Sequence, residues 1–227
     1  MNAREATVDL SGVARRFGRR WVLRGVDLSV GAGESVALMG NNGSGKTTLL
    51  RVIATLLRPT RGSARVLGFD VPADAARVRA QVGLLGHQAG LYEDLTAAEN
   101  LRFSQQMAGL QHDASAIDRV LAQIGLSPER DHRVRGFSAG MRRRLALGRL
   151  LLRPPRLLLL DEPYAAFDAD GVALVNRFAR QVTSAGGTTV IVTHDYARAQ
   201  GAVDRVVRLE EGRVLDGLPR EPEPLTV

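Results

Sequence analysis

The chain has 227 residues, enough for one α/β domain with a sizeable core, and no cysteine, which excludes disulfides, thiolate metal sites and a cysteine nucleophile. A formal net charge of +7 and a pI near 10.9 fit a nucleic-acid binder, a protein docked on an anionic membrane face, or an arginine bias without functional meaning. No apolar run approaches the roughly 18 residues that cross a bilayer, and residues 1–6 lack an h-region, so neither a membrane span nor a signal peptide is expected.

Residues 7–30 read as two or three short strands, Thr7-Val8-Asp9-Leu10 first and an alternating run over 22–30 last. Between them lies Arg15-Arg16-Phe17-Gly18, where Phe17 either stacks on a nucleotide base or packs within a hairpin. Ser35-Val36-Ala37-Leu38-Met39 reads as a buried strand. It leads into Gly40-Asn41-Asn42-Gly43-Ser44-Gly45-Lys46-Thr47 and Thr48, a full match to G-x-x-x-x-G-K-[ST], and a helix is expected over 47–57. Glycines let successive N–H groups converge on phosphate oxygens, and a helix N-terminus adds partial positive charge. Lys46, the one lysine in the chain, is expected to reach the β- and γ-phosphates, and Thr47 to ligate Mg²⁺.

Pro59-Thr60-Arg61-Gly62 is a turn, 63–69 a returning strand, 73–79 a short helix, and 82–86 a strand that delivers His87-Gln88 at its end. Residues 91–152 change to Ala-, Leu-, Arg- and Gln-rich helical spacing. There Thr96-Ala97-Ala98-Glu99 forms a capping box and Pro128 opens a further short segment. Leu157-Leu158-Leu159-Leu160-Asp161-Glu162 reads as a buried parallel strand with acids at its C-terminal end, where α/β folds hold ligands. Asp161 is the natural Mg²⁺ partner, through water, and Glu162 the natural general base for a water attacking a γ-phosphate. Thr188-Thr189-Val190-Ile191-Val192-Thr193 is another buried strand, ending in His194-Asp195, where a polar side chain either touches a γ-phosphate or is structural. A hairpin around Glu211-Gly212 is expected over 205–216, and 217–227 reads as a poorly ordered Pro/Glu tail.

These features resemble the ATP-binding subunit of ABC transporters over nearly the whole length. The deciding segment is Phe137-Ser138-Ala139-Gly140-Met141, which ends 20 residues before Asp161 and matches the position of the family's LSGGQ signature. The resemblance implies an α/β fold: a P-loop NTPase (RecA-like) core, an N-terminal antiparallel β subdomain and an inserted α-helical subdomain. As boundaries, 1–88 and 156–216 form the nucleotide-binding core, 89–155 the helical subdomain with the signature, and 217–227 the tail. It further implies ATP and Mg²⁺ as cofactors, Phe17 stacking on adenine, and Asn41 to Thr48 holding phosphates. Gln88 would contact Mg²⁺ and the attacking water and sense the membrane partner. Asp161 would serve the metal, Glu162 act as catalytic base, His194 as switch, and Asp168, in Ala165-Ala166-Phe167-Asp168, couple the dimer. Ser138 and Gly140 of one chain would face the γ-phosphate held by a second copy, so a homodimer or paired ATPase subunit is expected in the ATP-bound state. Two departures stand out: Ala139 adds a methyl where the family has glycine, and Met141 replaces the glutamine.

Gly86-His87-Gln88, the run from Gly90 to Leu101 and Asp161-Glu162-Pro163-Tyr164 are similar to the haem-exporter ATPases of cytochrome c maturation. Drug and lipid exporters share Leu91-Tyr92-Glu93-Asp94-Leu95-Thr96 and Gly140-Met141-Arg142-Arg143-Arg144-Leu145-Ala146. The resemblance places such a subunit at the cytoplasmic face of the cell membrane, bound to integral-membrane subunits, with no room after the core for a C-terminal regulatory domain. A soluble ABC ATPase acting on nucleic acid or ribosomes is the distant alternative. One P-loop, no internal repeat and no sustained heptads speak against it, and no nucleic acid is expected as partner. Arg142, Arg143 and Arg144, being consecutive, point in different directions and read as solvated faces of the signature helix.

Overall fold

The computed structural model describes residues 6–87 and 90–215. The chain opens with a long hairpin of β1 (Ala6–Phe17) and β2 (Arg20–Gly31), joined in an antiparallel sheet of order β2-β1-β4-β5 by β4 (Arg61–Val66) and β5 (Phe69–Val71). The single strand expected over 63–69 is thus two. Leu67 and Gly68 both take positive φ (56° and 79°), the geometry of a two-residue hairpin loop, and Val66 pairs with Phe69 across it.

The second sheet has six strands in the order β10-β9-β3-β8-β7-β6. They are β10 (Arg213–Leu215), β9 (Arg205–Glu210), β3 (Ser35–Met39), β8 (Thr188–Val192), β7 (Leu157–Asp161) and β6 (Val82–Leu85). All pair in parallel except β10 with β9, which form the expected hairpin at Glu211-Gly212. The four leucines of β7 show why its sequence carries no alternation. Leu157 and Leu159 enter one core, shared with α1 (Lys46–Ile53) and the antiparallel sheet. Leu158 and Leu160 enter the other, shared with the helices of 97–151. A strand covered on both faces is apolar at every position.

The helix after the glycine loop stops four residues before the expected end at 57. Thr55 takes φ 62° at its C-terminal end, with Thr55 N–H donating to Val52 O (3.0 Å) and Leu56 N–H to Arg51 O (2.8 Å). This is a Schellman closure, normally marked by glycine. Here a β-branched residue occupies the left-handed position, so no stop signal is written in the sequence.

After α2 (Ala75–Arg79) come the helices of the middle segment: α3 (Ala97–Met107), α4 (Ala114–Gln123) and α5 (Ala139–Leu151). Gly148 lets α5 approach α4, since a Cβ there would lie 2.8 Å from Ile124 Cδ1. The capping box of α3 forms as expected: Glu99 N–H donates to Thr96 Oγ1 (3.1 Å) and Thr96 N–H to Glu99 Oε2 (2.8 Å). The helix α6 (Ala169–Ser184) has no counterpart among the expected elements, although Leu174, Val175, Phe178, Ala179 and Val182 recur at helical spacing and are buried. The short α7 (Tyr196–Ala199) follows β8. The expected tail over 217–227 lies outside the described residues.

Thr96→Ala removes one half of the capping box and should lower the unfolding free energy by about 1 kcal/mol. The urea midpoint at unchanged slope measures this; an unshifted midpoint would show that the box contributes nothing.

Candidate functional site

The ends of β3, β8, β7 and β6 lie side by side because these strands are parallel neighbours, and β3, β8 and β7 each deliver a candidate residue to the same sheet edge. From β3 comes the glycine loop. Gly40 (φ 148°) passes so close to β9 that a Cβ would lie 2.0 Å from Leu209 O, and Gly45 (φ 109°) so close to β2 that a Cβ would lie 2.9 Å from Leu23 Cδ2. Gly40 leaves no room for a side chain, and at Gly45 the positive φ would strain one. Lys46 is 7% exposed and folds back over the loop, its Nζ donating to Gly40 O (2.6 Å) and Asn41 O (3.0 Å). Asn41, Asn42 and Gly43 form the exposed crown. Ser44 Oγ is buried without a hydrogen-bond partner. The N-terminus of α1 at Gly45 has no side-chain cap and no acid in its first turn. Unpaired first-turn N–H groups, an ammonium held over the loop and a buried hydroxyl with nothing to bind together fit a polyphosphate.

Thr47 Oγ1 donates to Asp161 Oδ1 at 3.1 Å, bridging the start of α1 and the end of β7; Thr48 beside it is half-buried. Burial pushes the Asp161 carboxyl above the usual carboxylate range, and the Thr47 hydroxyl pulls it back. Glu162 follows with φ 45°, a left-handed conformation that costs an ordinary residue about 1 kcal/mol. Its N–H donates to Val192 O (2.9 Å), and its Oε2 lies 2.9 Å from Nδ1 of the exposed His194 at the end of β8. Glu162 and His194, 32 residues apart, are therefore paired at the edge where Lys46, Thr47 and Asp161 converge.

The remaining candidates make their contacts with other elements. Ser138 is the N-cap of α5, accepting from Met141 N–H at 3.2 Å, and a Cβ on Gly140 would lie 3.1 Å from Ala166 O. Among the described residues, no hydrogen bond joins Ser138 or Gly140 to the glycine loop. Asp168 caps α6 through Gly171 N–H (2.9 Å), which holds its carboxyl below the usual range, and it takes a bond from Arg144 Nη2 (2.8 Å). Phe17 ends β1 with 44% of its surface exposed, the Arg15 guanidinium 4.7 Å from its ring centre. Gln88 lies outside the described residues.

The reading of Arg142–Arg144 as solvated faces fails at Arg143. This side chain is 7% exposed and reaches under the acids, Nη2 donating to Asp161 O (2.8 Å) and Glu162 O (2.7 Å), and Nη1 to Gly86 O (2.9 Å). Arg144 is also engaged, by Asp168 and by Ile124 O. Three successive arginines gave no sign in the sequence of which one turns inward.

Residues 23–165 match the family model described as ABC transporter. The chain belongs to the ABC transporter family. It is 40% identical over 199 residues, 88% of this chain and 94% of the relative, to the cytochrome c biogenesis ATP-binding export protein CcmA 2 of Cupriavidus metallidurans. It is 38% identical to the daunorubicin resistance ATP-binding protein DrrA3 of Streptomyces coeruleorubidus, over 93% of this chain and 67% of that one. Among solved structures, it superposes with a TM-score of 0.82 and 26% identity on the ATP-binding cassette MJ0796, covering 91% of this chain and 96% of that one. That structure is described as dimeric, in a post-hydrolysis state, with ADP and Pi bound. The α/β architecture is that of an ABC ATPase domain, and the activity of the chain is ATP hydrolysis.

Lys46→Ala should weaken ATP binding at least about ten-fold, the loss expected for charge-assisted hydrogen bonds. Isothermal titration measures it, and unchanged affinity would remove the glycine loop as the phosphate site. Phe17→Ala should weaken ATP by about ten-fold while leaving inorganic triphosphate unaffected. Equal losses for both would assign Phe17 to packing.

Proposed function

We propose that this chain is the ATPase of an exporter in cytochrome c maturation, driving haem export through separate integral-membrane subunits. The observation that carries this reading is the likeness to a cytochrome c biogenesis ATP-binding export protein over 94% of that protein's length. The motifs around Gly86-His87 and Asp161-Glu162-Pro163-Tyr164 agree with it. A drug- or lipid-exporter ATPase is the second reading, favoured by 38% identity to a daunorubicin resistance protein and by Gly140-Met141-Arg142-Arg143-Arg144. In either case the chain docks at the cytoplasmic face of the membrane. Among the described residues no helix is long and apolar enough to cross one, which supports leaving the crossing to other subunits.

In the proposed mechanism Lys46 exchanges the carbonyls of Gly40 and Asn41 for β- and γ-phosphate oxygens. Loop N–H groups and the Ser44 hydroxyl complete the cradle, and Phe17 stacks on adenine. The Glu162 carboxylate takes a proton from the attacking water as the bond between the γ-phosphorus and its bridging oxygen breaks, giving ADP and phosphate. His194 orients that carboxylate. Thr47 and Asp161 offer a hydroxyl and a carboxylate, hard oxygen donors suited to Mg²⁺. No larger cluster of His, Cys, Asp or Glu gathers among the described residues, so nucleotide and water oxygens would fill the shell. Bound Mg²⁺ would neutralise charge on the β- and γ-phosphates. Gln88 is proposed beside the water. Ser138 and Gly140 are proposed to act on the nucleotide of a second copy, with Asp168 coupling the two. ATP binding then closes the dimer and hydrolysis opens it.

The Glu162→Gln protein should bind ATP with hydrolysis reduced at least about 100-fold and accumulate as a dimer. Tagged and captured from gently solubilised native membranes with Mg-ATP, it should bring down integral-membrane subunits with cytochrome c maturation proteins and haem absorbance. Membrane subunits without haem would move the reading to drug or lipid export. Capture of ribosomes or DNA alone would end the transport reading.

A further inference from the structure

We propose that Arg143 is a positioning residue that ties the signature helix to the turn aiming Glu162. The inference rests on Glu162 being the general base. The ladder between β6 and β7 ends at the pair Leu85–Leu160. On the other side of β7 the ladder runs one residue further, to Asp161 paired with Val192. The carbonyls of Gly86 and Asp161 therefore lie past the end of the β6–β7 ladder, where no N–H of the neighbouring strand meets them. The Arg143 guanidinium fills that gap. Nη1 takes Gly86 O at 2.9 Å and reaches His87 O at 3.5 Å; Nη2 takes Asp161 O at 2.8 Å and Glu162 O at 2.7 Å.

Glu162 is thereby held at both ends of its backbone. Its N–H is fixed by Val192 O on β8 and its carbonyl by Arg143 from α5. A non-glycine residue at φ 45° keeps that conformation only where its surroundings over-determine it. The side chain direction follows from that backbone, and it carries the carboxylate to His194 Nδ1.

The group that does this sits on α5, whose N-cap is Ser138. The guanidinium is buried, its Nε has no hydrogen-bond partner, and it is held by carbonyls rather than by a direct ion pair. Replacing it by an apolar side chain leaves the Gly86, Asp161 and Glu162 carbonyls without this donor, at a cost in stability. Nor can an apolar side chain span two strand ends and the Glu162 turn at once. A displacement of the signature end of α5 is accordingly transmitted to the backbone of Glu162, and to Gly86 before Gln88.

The test is steady-state ATPase kinetics of Arg143→Met, Arg143→Lys, Ser138→Ala and the double variant Ser138→Ala/Arg143→Met, with Glu162→Gln as control. Arg143→Met should lower the thermal midpoint and, at a temperature where it is fully folded, keep its KM for ATP within about two-fold while kcat falls about 10- to 100-fold. Arg143→Lys should fail to restore kcat, since an ammonium has no fork to bridge the carbonyls; this variant decides alone if the Met protein does not fold. The double variant should lose less than the product of the single losses, because both act through one helix. Wild-type kcat in Arg143→Met, full rescue by Lys, or strictly multiplicative losses would each overturn the inference. If Glu162→Gln hydrolyses at the wild-type rate, the base assignment itself fails. A stalled Glu162→Gln beside a fast Arg143→Met overturns the role of Arg143 alone.

Discussion

Much of this structure depends on how closely the chain passes itself on leaving β3. With a Cβ at Gly40 only 2.0 Å from Leu209 O, the glycine loop is pressed against β9, and Gly212 at the tip of the following hairpin is pressed equally against Val22 O (2.2 Å). Hydrogen bonds fasten the same tip in two directions: Gly212 N–H donates to Ser44 O, and Arg24 N–H to Gly212 O. The hairpin near the end of the described chain thus braces both the loop near its start and the strand β2. A loop this crowded has few alternative conformations, so its N–H groups are aimed before any ligand arrives. Pre-organised donors cost no reorganisation when charge develops opposite them.

The second consequence of the parallel sheet is that chemistry from distant parts of the chain meets without any local signal. Asp161 touches Thr47 across 114 residues of sequence, and His194 touches Glu162 across 32, because β3, β8 and β7 are neighbours that end together. The two cores on either face of β7 hold that edge in place. One is built from the antiparallel sheet and α1, the other from the helical segment and α6. Movement of the helical segment against the sheet is therefore felt first at the strand ends, where Arg143 crosses.

How much of this was legible follows from the kind of information each feature needs. The glycine loop, the acidic strand end, the capping box at Thr96 and the hairpin at Glu211-Gly212 are written locally, in residue types at fixed spacing, and the structure holds them as read. The helix end at Thr55 was illegible because the left-handed position carries threonine where glycine is the usual mark. The break of β4 from β5 was half legible: Gly68 marks it, Leu67 conceals it. Arg143 was illegible for a different reason. Which of three adjacent arginines turns inward is decided by the phase of α5 against β6 and β7, a tertiary quantity that no local pattern records.

The two kinds of cation divide the labour at this sheet edge. The composition supplies arginine almost everywhere, yet the glycine loop carries the chain's one lysine. A compact ammonium on a flexible stem can release two carbonyls and turn to phosphate oxygens without a fixed plane of approach. At the strand ends the requirement is opposite. Four carbonyls of Gly86, His87, Asp161 and Glu162 must be held at once and in register, and a planar fork with paired donors meets them where a point charge would choose among them. Lys46 thus occupies the position where partners must change, and Arg143 the position where they must not. The direction of the Glu162 carboxylate is set by a backbone that only the second of these cations holds.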